Sequence, residues 1–459
     1  MDYPTFEQIL RSGAPIHLSG IGGVSMRALA RMLRDLGGNV RGSDRDESVH
    51  TERLEAQGIP VAIGHRPENT AGAALVIRTA AIHDDNPEIA AALAAGIPVL
   101  QRAEAWGLLM GKYDTAVCLA GTHGKTSTTS MIATFTQAAA LDPTVMVGGD
   151  LPSIGGTLRI GHSGLFVAEA CEYQNSFLSF QPTVAVILNI DRDHLDFFDD
   201  LEDIERSFRR FALLTPETGC VVANGDDGNT RTALRNIGRR VVYFGAAEDC
   251  DIRPARITVR EGCYGCDVIA GGALWCRFQL SVPGRHNLQN ALAAAAVARE
   301  LGVPSDVFSS GISAYAGVGR RFEFKRRWRG ATVYDDYAHH PSEIEAALKA
   351  ARETTRGRVI CVFQPHTYSR TAALMNEFAA ALQYADLCIL CPIFAARERN
   401  ESGVSHTDLQ RLIPGALAAD SLTDAARKLE GLVRPGDLIF TMGAGDVYRV
   451  TDELREEEL

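Results

Sequence analysis

Nowhere in the chain do about 18 apolar residues run together, so no helix able to span a bilayer is expected. The opening residues Met1-Asp2-Tyr3-Pro4 are not a basic segment leading into an apolar one, and a secretory signal is not expected either. Positive charge is scarce: 46 Lys and Arg face 57 Asp and Glu, a formal net charge of -11. That balance speaks against a surface that grips a nucleic-acid backbone or inserts at an anionic membrane, and an anionic ligand must be met by local basic residues. Lysine is missing altogether between Lys125 and Lys325. No unit repeats at the residue level, and the acidic Glu456-Glu457-Glu458 tail is the one tract that reads as disordered. These absences point to a cytoplasmic protein, with monomer and homodimer both open.

The 10 cysteines sit in apolar surroundings such as Val117-Cys118, Ile360-Cys361 and Leu387-Cys388, as small buried groups in a reducing compartment do. Cys263/Cys266 and Cys388/Cys391 have Cys-x-x-Cys spacing, and Cys276 lies near the first pair. Zinc needs four converging ligands, so buried thiols are the leading reading of both pairs.

The 459 residues are 46% hydrophobic, enough for three domains. The run Thr115 to Ala120 reads as a buried strand and the residues from Thr126 onward as the start of a helix. Between them stands Gly121-Thr122-His123-Gly124-Lys125-Thr126, with Ser127 next. Glycines let backbone N–H groups approach a polyphosphate, and a helix N-terminus adds positive potential. Lys125 can reach the β- and γ-phosphates and Thr126 can offer its hydroxyl to Mg2+. The general phosphate-loop pattern has a further glycine where Leu119 stands, so a tight turn with an exposed lysine is the competing reading.

Upstream, Pro15 to Ala30 reads as strand, glycine turn (Gly20-Ile21-Gly22-Gly23) and helix. A second strand ends at Ser43-Asp44, where a carboxylate can meet a sugar or base. Ser25 occupies the third-glycine position of the dinucleotide fingerprint, so NAD and other nucleotide diphosphates are both admissible. Downstream, the strands Gly164–Ala170 and Thr183–Ile190 end in Glu169-Ala170-Cys171-Glu172-Tyr173 and in Asp193-His194. Ligands of open parallel sheets bind at strand carboxyl ends, which places Glu169, Asp193 and His194 near Lys125 as candidates for Mg2+ contacts. A helix cap and a filled turn are the plain alternatives. Residues 241–282 carry short β-type runs around glycines, a small antiparallel addition. Pro283-Gly284-Arg285-His286-Asn287 opens an alanine-rich helix, and Arg320-Arg321 is either solvated or a phosphate clamp. Alternation of α and β resumes after that, with polar clusters at Asp335-Asp336-Tyr337-Ala338-His339-His340 and Gln364-Pro365-His366.

The expected class is α/β in three domains. Residues 1–110 form a Rossmann-like domain, 111–320 a P-loop ATPase-like parallel sheet with a small antiparallel addition, and 321–459 a second Rossmann-like domain.

With these motifs in this order, the chain resembles the Mur ligases of peptidoglycan synthesis along essentially its whole length. The resemblance implies a UDP-sugar domain, an ATP domain, and a third domain that closes over both and binds an amino acid. It implies ATP-dependent amide formation, joining L-alanine to the lactyl carboxylate of UDP-N-acetylmuramate through an acyl phosphate. Gly20, Ile21, Gly22, Gly23, Ser43 and Asp44 would hold the UDP portion. Gly121, Thr122, His123, Gly124, Lys125, Thr126 and Ser127 would hold ATP, with His286, Asn287, Asn290, Arg320 and Asp336. Lys125, Glu169 and His194 would be catalytic; Thr126 and Glu169 would bind one Mg2+ and His194 a second. Tyr337, His339, His366 and Arg370 would surround the amino acid. Later-step members use a carbamoylated lysine in the central domain, and the lysine-free stretch places this chain on the alanine-adding side. The chain departs from the family pattern in the run Glu169 to Phe177, in Ser25, and in Thr367, where an arginine of the amino-acid site is usual. A recycling ligase that attaches a tripeptide, a nucleotide-dependent oxidoreductase and a silent UDP-sugar sensor stay as alternatives.

Overall fold

Three sheets, each following from a set of apolar runs, carry the chain. The computed structural model describes residues 1–454 other than Asp196 and Arg397, and the acidic tail lies outside the described residues. In the first sheet five parallel strands stand in the order Val61–Ile63, Asn39–Asp44, Pro15–Ser19, Leu75–Arg78, Val99–Gln101. The helix Val24–Asp35 follows the first strand and buries Met26, Leu29, Met32 and Leu33 at helical spacing. It starts at Gly23 as N-cap, earlier than the apolar periodicity alone indicates. Ser25 has a packing role: its hydroxyl accepts from Trp106 Nε1 at 3.2 Å.

The second sheet has ten strands. Val241–Phe244, Cys220–Asn224, Val184–Ile187, Thr115–Ala120, Leu165–Glu169 and Thr144–Leu151 run parallel in that spatial order. Val184–Ile187 is buried at every position, as a strand covered on both faces must be. The antiparallel strands Ile252–Arg260, Cys263–Ala270 and Ala273–Pro283 extend this same sheet, joined through Phe244 and Ile252. The strands Thr144–Leu151 and Gly156–Arg159 at the opposite edge have no counterpart in the sequence reading, because glycines interrupt their apolar pattern.

The third sheet runs Glu323–Trp328, Ala331–Asp336, Leu438–Met442, Val359–Phe363, Leu387–Leu390, Leu417–Ala418. Only its first pair is antiparallel. The strands Val359–Phe363, Leu387–Leu390 and Leu438–Met442 coincide with the apolar runs of the sequence.

One apolar core runs unbroken from Phe6 and Leu33 through Trp106 into Phe166, Phe177 and Phe211, so the first two domains are packed as one body. The third domain has apolar clusters of its own, around Phe363 and Phe378 on one face and Ile360 and Ile439 on the other. Among the described residues no helix is long and apolar enough to cross a membrane. All ten cysteines are free thiols; burial pushes Cys266, Cys276, Cys388 and Cys391 up to about 12, which makes them inert at neutral pH.

Candidate active site

Strand Thr115–Ala120 ends at Gly121 (φ +147°) and helix Lys125–Ala138 starts at Gly124 (φ +83°). A Cβ at Gly124 would stand 2.7 Å from Asn290 Oδ1, so glycine is required for both the turn and the close approach. The loop is braced from the next strand end: His123 N donates to Asn189 Oδ1 at 2.8 Å, and Asn189 Nδ2 donates to His123 O at 3.1 Å. Leu119, at the missing-glycine position, is a fully buried strand residue.

The Lys125 ammonium donates to both oxygens of Glu172, at 3.1 and 3.0 Å, and to the carbonyls of Gly121 and Thr122. Burial is the largest single influence and opposes its charge, but Glu172, Cys171 and Glu169 together outweigh it and hold Lys125 above its ordinary pKa. Beside it, Thr126 Oγ1 donates to Glu169 Oε2 at 3.2 Å, and Gly148 N donates to Glu169 Oε1 at 2.5 Å. Burial raises the Glu169 carboxyl above its ordinary value. His194, at φ +54°, points Nε2 at Glu172 (3.9 Å) and Asp193 (3.8 Å), and its ring packs 4.6 Å from that of Tyr173. Burial lowers its pKa and favours the neutral imidazole. The predicted trio Lys125, Glu169 and His194 therefore lines a single cleft of ≈ 730 Å³.

A second cavity, ≈ 330 Å³, opens behind the loop and is lined by Ser127, His286, Asn287, Asn290 and Asp336. Asn287 Nδ2 donates to Pro283 O at 2.7 Å and Asn290 Nδ2 to Asn287 Oδ1 at 3.2 Å, which fixes both amides at the start of helix Arg285–Glu300. Burial raises Asp336 to about 6, although it accepts from Phe322 N and Ala338 N. The two arginines differ sharply. Arg320, at φ +60°, is pinned to Asp335 Oδ2 (3.0 Å) and to the carbonyls of Gly443 and Gly445, between the rings of Tyr337 and Tyr448. Arg321 lines both cavities and pairs with Glu343 Oε1 at 3.4 Å, so of the two arginines it is the one that reaches the second cavity.

The third domain reaches into the cleft through two side-chain sets. Arg370 Nη2 donates to Asp193 Oδ1 at 2.8 Å, and the guanidinium holds that carboxyl well below the usual range despite burial. His366 lies 3.4 Å from Arg370, stacks on Phe394, and is lowered by burial to about 4. His339 packs edge-on to both His366 and Tyr337. Tyr337, His339, His366 and Arg370 thus cluster together, and of these Tyr337 and His339 line the cleft. Largely buried Glu343 collects His339 (3.3 Å), Arg321 (3.4 Å) and His123 (3.3 Å), which hold it well below its ordinary value against the cost of burial.

In the first domain Gly20, Gly22, Gly23 and Asp44 line a separate pocket of ≈ 590 Å³. Gly22 N donates to Asp44 Oδ2 at 2.8 Å, and a Cβ at Gly22 would collide with that oxygen. The side chains of Ile21 and Ser43 face inward instead: Ile21 is core, and Ser43 Oγ donates to buried Glu88 at 2.7 Å, which also accepts from Ser19 at 2.5 Å. Val24 and Arg27, at the start of helix Val24–Asp35, line the same cleft as Lys125 and so connect the first pocket to the phosphate loop.

Three residues of the site were given no role of their own from the sequence. Glu172 had a signal, since it stands in the acidic run after a strand. Arg321 is indistinguishable in type from its neighbour, and only the left-handed backbone at Arg320 separates their directions. Glu343 had none, because its partners His123 and Arg321 lie far off in the chain.

A phosphate loop at the carboxyl end of a central strand of a parallel sheet, an oxygen-rich pocket beside it and a further α/β domain folded across both define a three-domain nucleotide-dependent enzyme. Family models match almost end to end: "Mur ligase family, catalytic domain" over residues 15–114, "Mur ligase middle domain" over 119–298, and "Mur ligase, glutamate ligase domain" over 320–445. The chain belongs to the Mur ligase family. It is 46% identical to the UDP-N-acetylmuramate--L-alanine ligase of Caldanaerobacter subterraneus subsp. tengcongensis, covering 96% of this chain and 97% of the relative. The crystal structure of UDP-N-acetylmuramate-alanine ligase MurC from Thermotoga maritima superimposes with a TM-score of 0.80 at 29% identity, over 96% and 98% of the two chains. A murein peptide ligase from Psychrobacter arcticus is similar in fold, with a TM-score of 0.74 at 24% identity, over 96% and 98%.

Proposed function

We propose that this chain joins L-alanine to the lactyl carboxylate of UDP-N-acetylmuramate, converting ATP to ADP and phosphate, as a step in making peptidoglycan precursor in the cytoplasm. The observation that carries the reading is that Lys125 and Arg370 are each parked on an internal carboxylate lining the same cleft, Lys125 on Glu172 and Arg370 on Asp193. Two anionic substrates approaching from different domains need such an arrangement. The 46% identity to an L-alanine ligase over nearly the whole chain supports the same assignment.

In this reading the diphosphate of the sugar nucleotide lies at Gly22 and Gly23, at the positive end of helix Val24–Asp35. The ATP phosphates lie on the N-terminus of helix Lys125–Ala138, with the base among His286, Asn287 and Asn290. Lys125 leaves Glu172 for the γ-phosphate. The oxygens of Thr126 and Glu169, 3.2 Å apart, suit a hard cation and would hold one Mg2+, with His194 at a second, to neutralise phosphate charge. The sugar-borne carboxylate attacks the γ-phosphorus and ADP leaves, giving an acyl phosphate. Arg370 exchanges Asp193 for the carboxylate of L-alanine, and the amine of that alanine attacks the acyl carbon as phosphate departs. Closure of the third domain over the loop keeps water from the acyl phosphate.

The test is to supply UDP-N-acetylmuramate, ATP, Mg2+ and a panel containing L-alanine, other amino acids and the tripeptide. The expected outcome is ADP and phosphate in equal amounts only with L-alanine and the sugar nucleotide together. Phosphate release independent of both would sink the ligase reading. Preference for the tripeptide would move the chain to the recycling ligases, an outcome kept open by Thr367.

A further inference from the structure

We propose that His123, Asp191 and His340 form a binding site for a transition-metal dication of the Zn2+ class, bridging the phosphate loop and the third domain. One ligand atom from each of the three lies within 4.8 Å of the other two, the one such cluster of three among the described residues. All three converge on the hydroxyl of Ser342. Ser342 Oγ stands 2.9 Å from His123 Nε2, 3.2 Å from Asp191 Oδ2 and 2.6 Å from His340 Nδ1, and His123 Nε2 is 3.7 Å from Asp191 Oδ2. Ligands held about 2.0–2.1 Å from a tetrahedral ion lie a little over 3 Å from one another, so small side-chain adjustments suffice to admit one.

His340 Nε2 meets the carbonyl of Arg192 at 3.0 Å, which assigns the ring proton to Nε2 and leaves the Nδ1 lone pair to accept from Ser342 Oγ at 2.6 Å and Ser342 N at 3.4 Å. Without an ion, His123 directs its ring protons at Asp191 and Glu343. A dication would take the place of the Nε2 proton between His123 and Asp191, with Ser342 Oγ or a water as fourth ligand.

The surroundings are those of imidazole ligands. In metal sites a ligating histidine gives its other ring N–H to a carboxylate or carbonyl, which fixes its orientation and strengthens it as a donor. Both do so here: His123 Nδ1 faces Glu343 Oε1 at 3.3 Å, and His340 Nε2 faces Arg192 O. Two nitrogens and one carboxylate select Zn2+, Co2+ or Ni2+ over Mg2+, and so distinguish this cluster from the oxygen pair Thr126 and Glu169. His340 is buried, whereas the Asp191 side chain is 44% exposed and gives the ion a way in. Because His340 and Ser342 belong to the third domain and His123 and Asp191 to the second, an ion at this point ties the two together in the closed arrangement.

The test uses the full-length protein stripped with chelator and titrated with Zn2+ alone, without nucleotide, by calorimetry and thermal melting. One Zn2+ per chain is expected to bind and to raise Tm. Co2+ in its place is expected to give visible d–d absorption without sulfur-to-metal charge-transfer bands. His340→Gln and the exposed Asp191→Asn are each expected to weaken binding at least about tenfold. The absence of saturable binding, thiolate bands with Co2+, or undiminished Zn2+ binding in either variant would overturn the proposal. None of these readouts involves turnover, so they stand apart from the ligase reading.

Discussion

Asp193 and Arg370 are held 2.8 Å apart across a domain boundary, the first in the loop after strand Val184–Ile187 and the second on the helix Tyr368–Ala373 of the third domain. The pair puts a carboxylate on the guanidinium that an amino acid's carboxylate would need. Arg370→Ala is therefore expected to raise KM for L-alanine by about 10–100-fold, the range for a lost hydrogen bond to a charged group, with KM for ATP nearly unchanged. Steady-state kinetics with each substrate varied in turn decides this; an equal rise in both constants would place Arg370 in domain docking alone.

Lys125 and Glu172 form the matching pair. Glu172 is 2% exposed, so Lys125→Ala strands a buried carboxylate as well as removing the phosphate ligand. The single variant is expected to lose most of its turnover and about 1–3 kcal/mol of stability. Adding Glu172→Gln is expected to restore the stability and not the turnover. Denaturant melts and single-turnover assays on both variants separate the two effects.

His123 ties stability to pH. Burial works against its protonation, but hydrogen bonds to Asp191 and Glu343 prevail and raise its pKa to about 9 from an ordinary 6.5. The folded protein thus holds this proton over a range in which the unfolded chain has released it. Its contribution is complete below pH 6.5 and is lost as pH rises through about 9. In chelator-containing buffer, wild type is expected to lose stability over that window relative to His123→Gln; parallel curves would refute the assignment.

Thr367 occupies φ +66° with ψ 145°, a region that costs a β-branched residue about 1–3 kcal/mol. It is held there by Thr367 N donating to Phe394 O at 2.9 Å and by Thr371, whose hydroxyl donates to Thr367 O at 2.6 Å. Thr367→Gly relieves the strain and gives back part in chain entropy, so a net gain of about 1 kcal/mol is expected. A lower Tm would mean that the side chain contributes more packing than its backbone loses.

Much of the site was legible because chemistry and strand ends coincide. Lys125, Glu169 and His194 each follow an apolar run, and a parallel sheet gathers such ends on one edge whatever lies between them. Side-chain direction was less legible. Ser43 and Asp44 are neighbours on a strand, and alternation sends one hydroxyl into the Glu88 network and the other carboxylate to the glycine turn. Arg320 and Arg321 differ for a similar reason, set by a single positive φ. Glu343 emerges only when the third domain docks, since its ties to His123 and Arg321 have no trace in local sequence.

The separation of apolar clusters has a thermodynamic consequence. The first two domains share one core, whereas prominent ties from the third to the phosphate-loop edge are polar: His340 to Arg192, Ser342 to Asp191, Glu343 to His123 and Arg370 to Asp193. Swinging the third domain away wets few apolar atoms, so opening carries a small heat-capacity change and depends weakly on temperature. Ionic strength is the stronger control, because ions screen charged contacts once water reaches them.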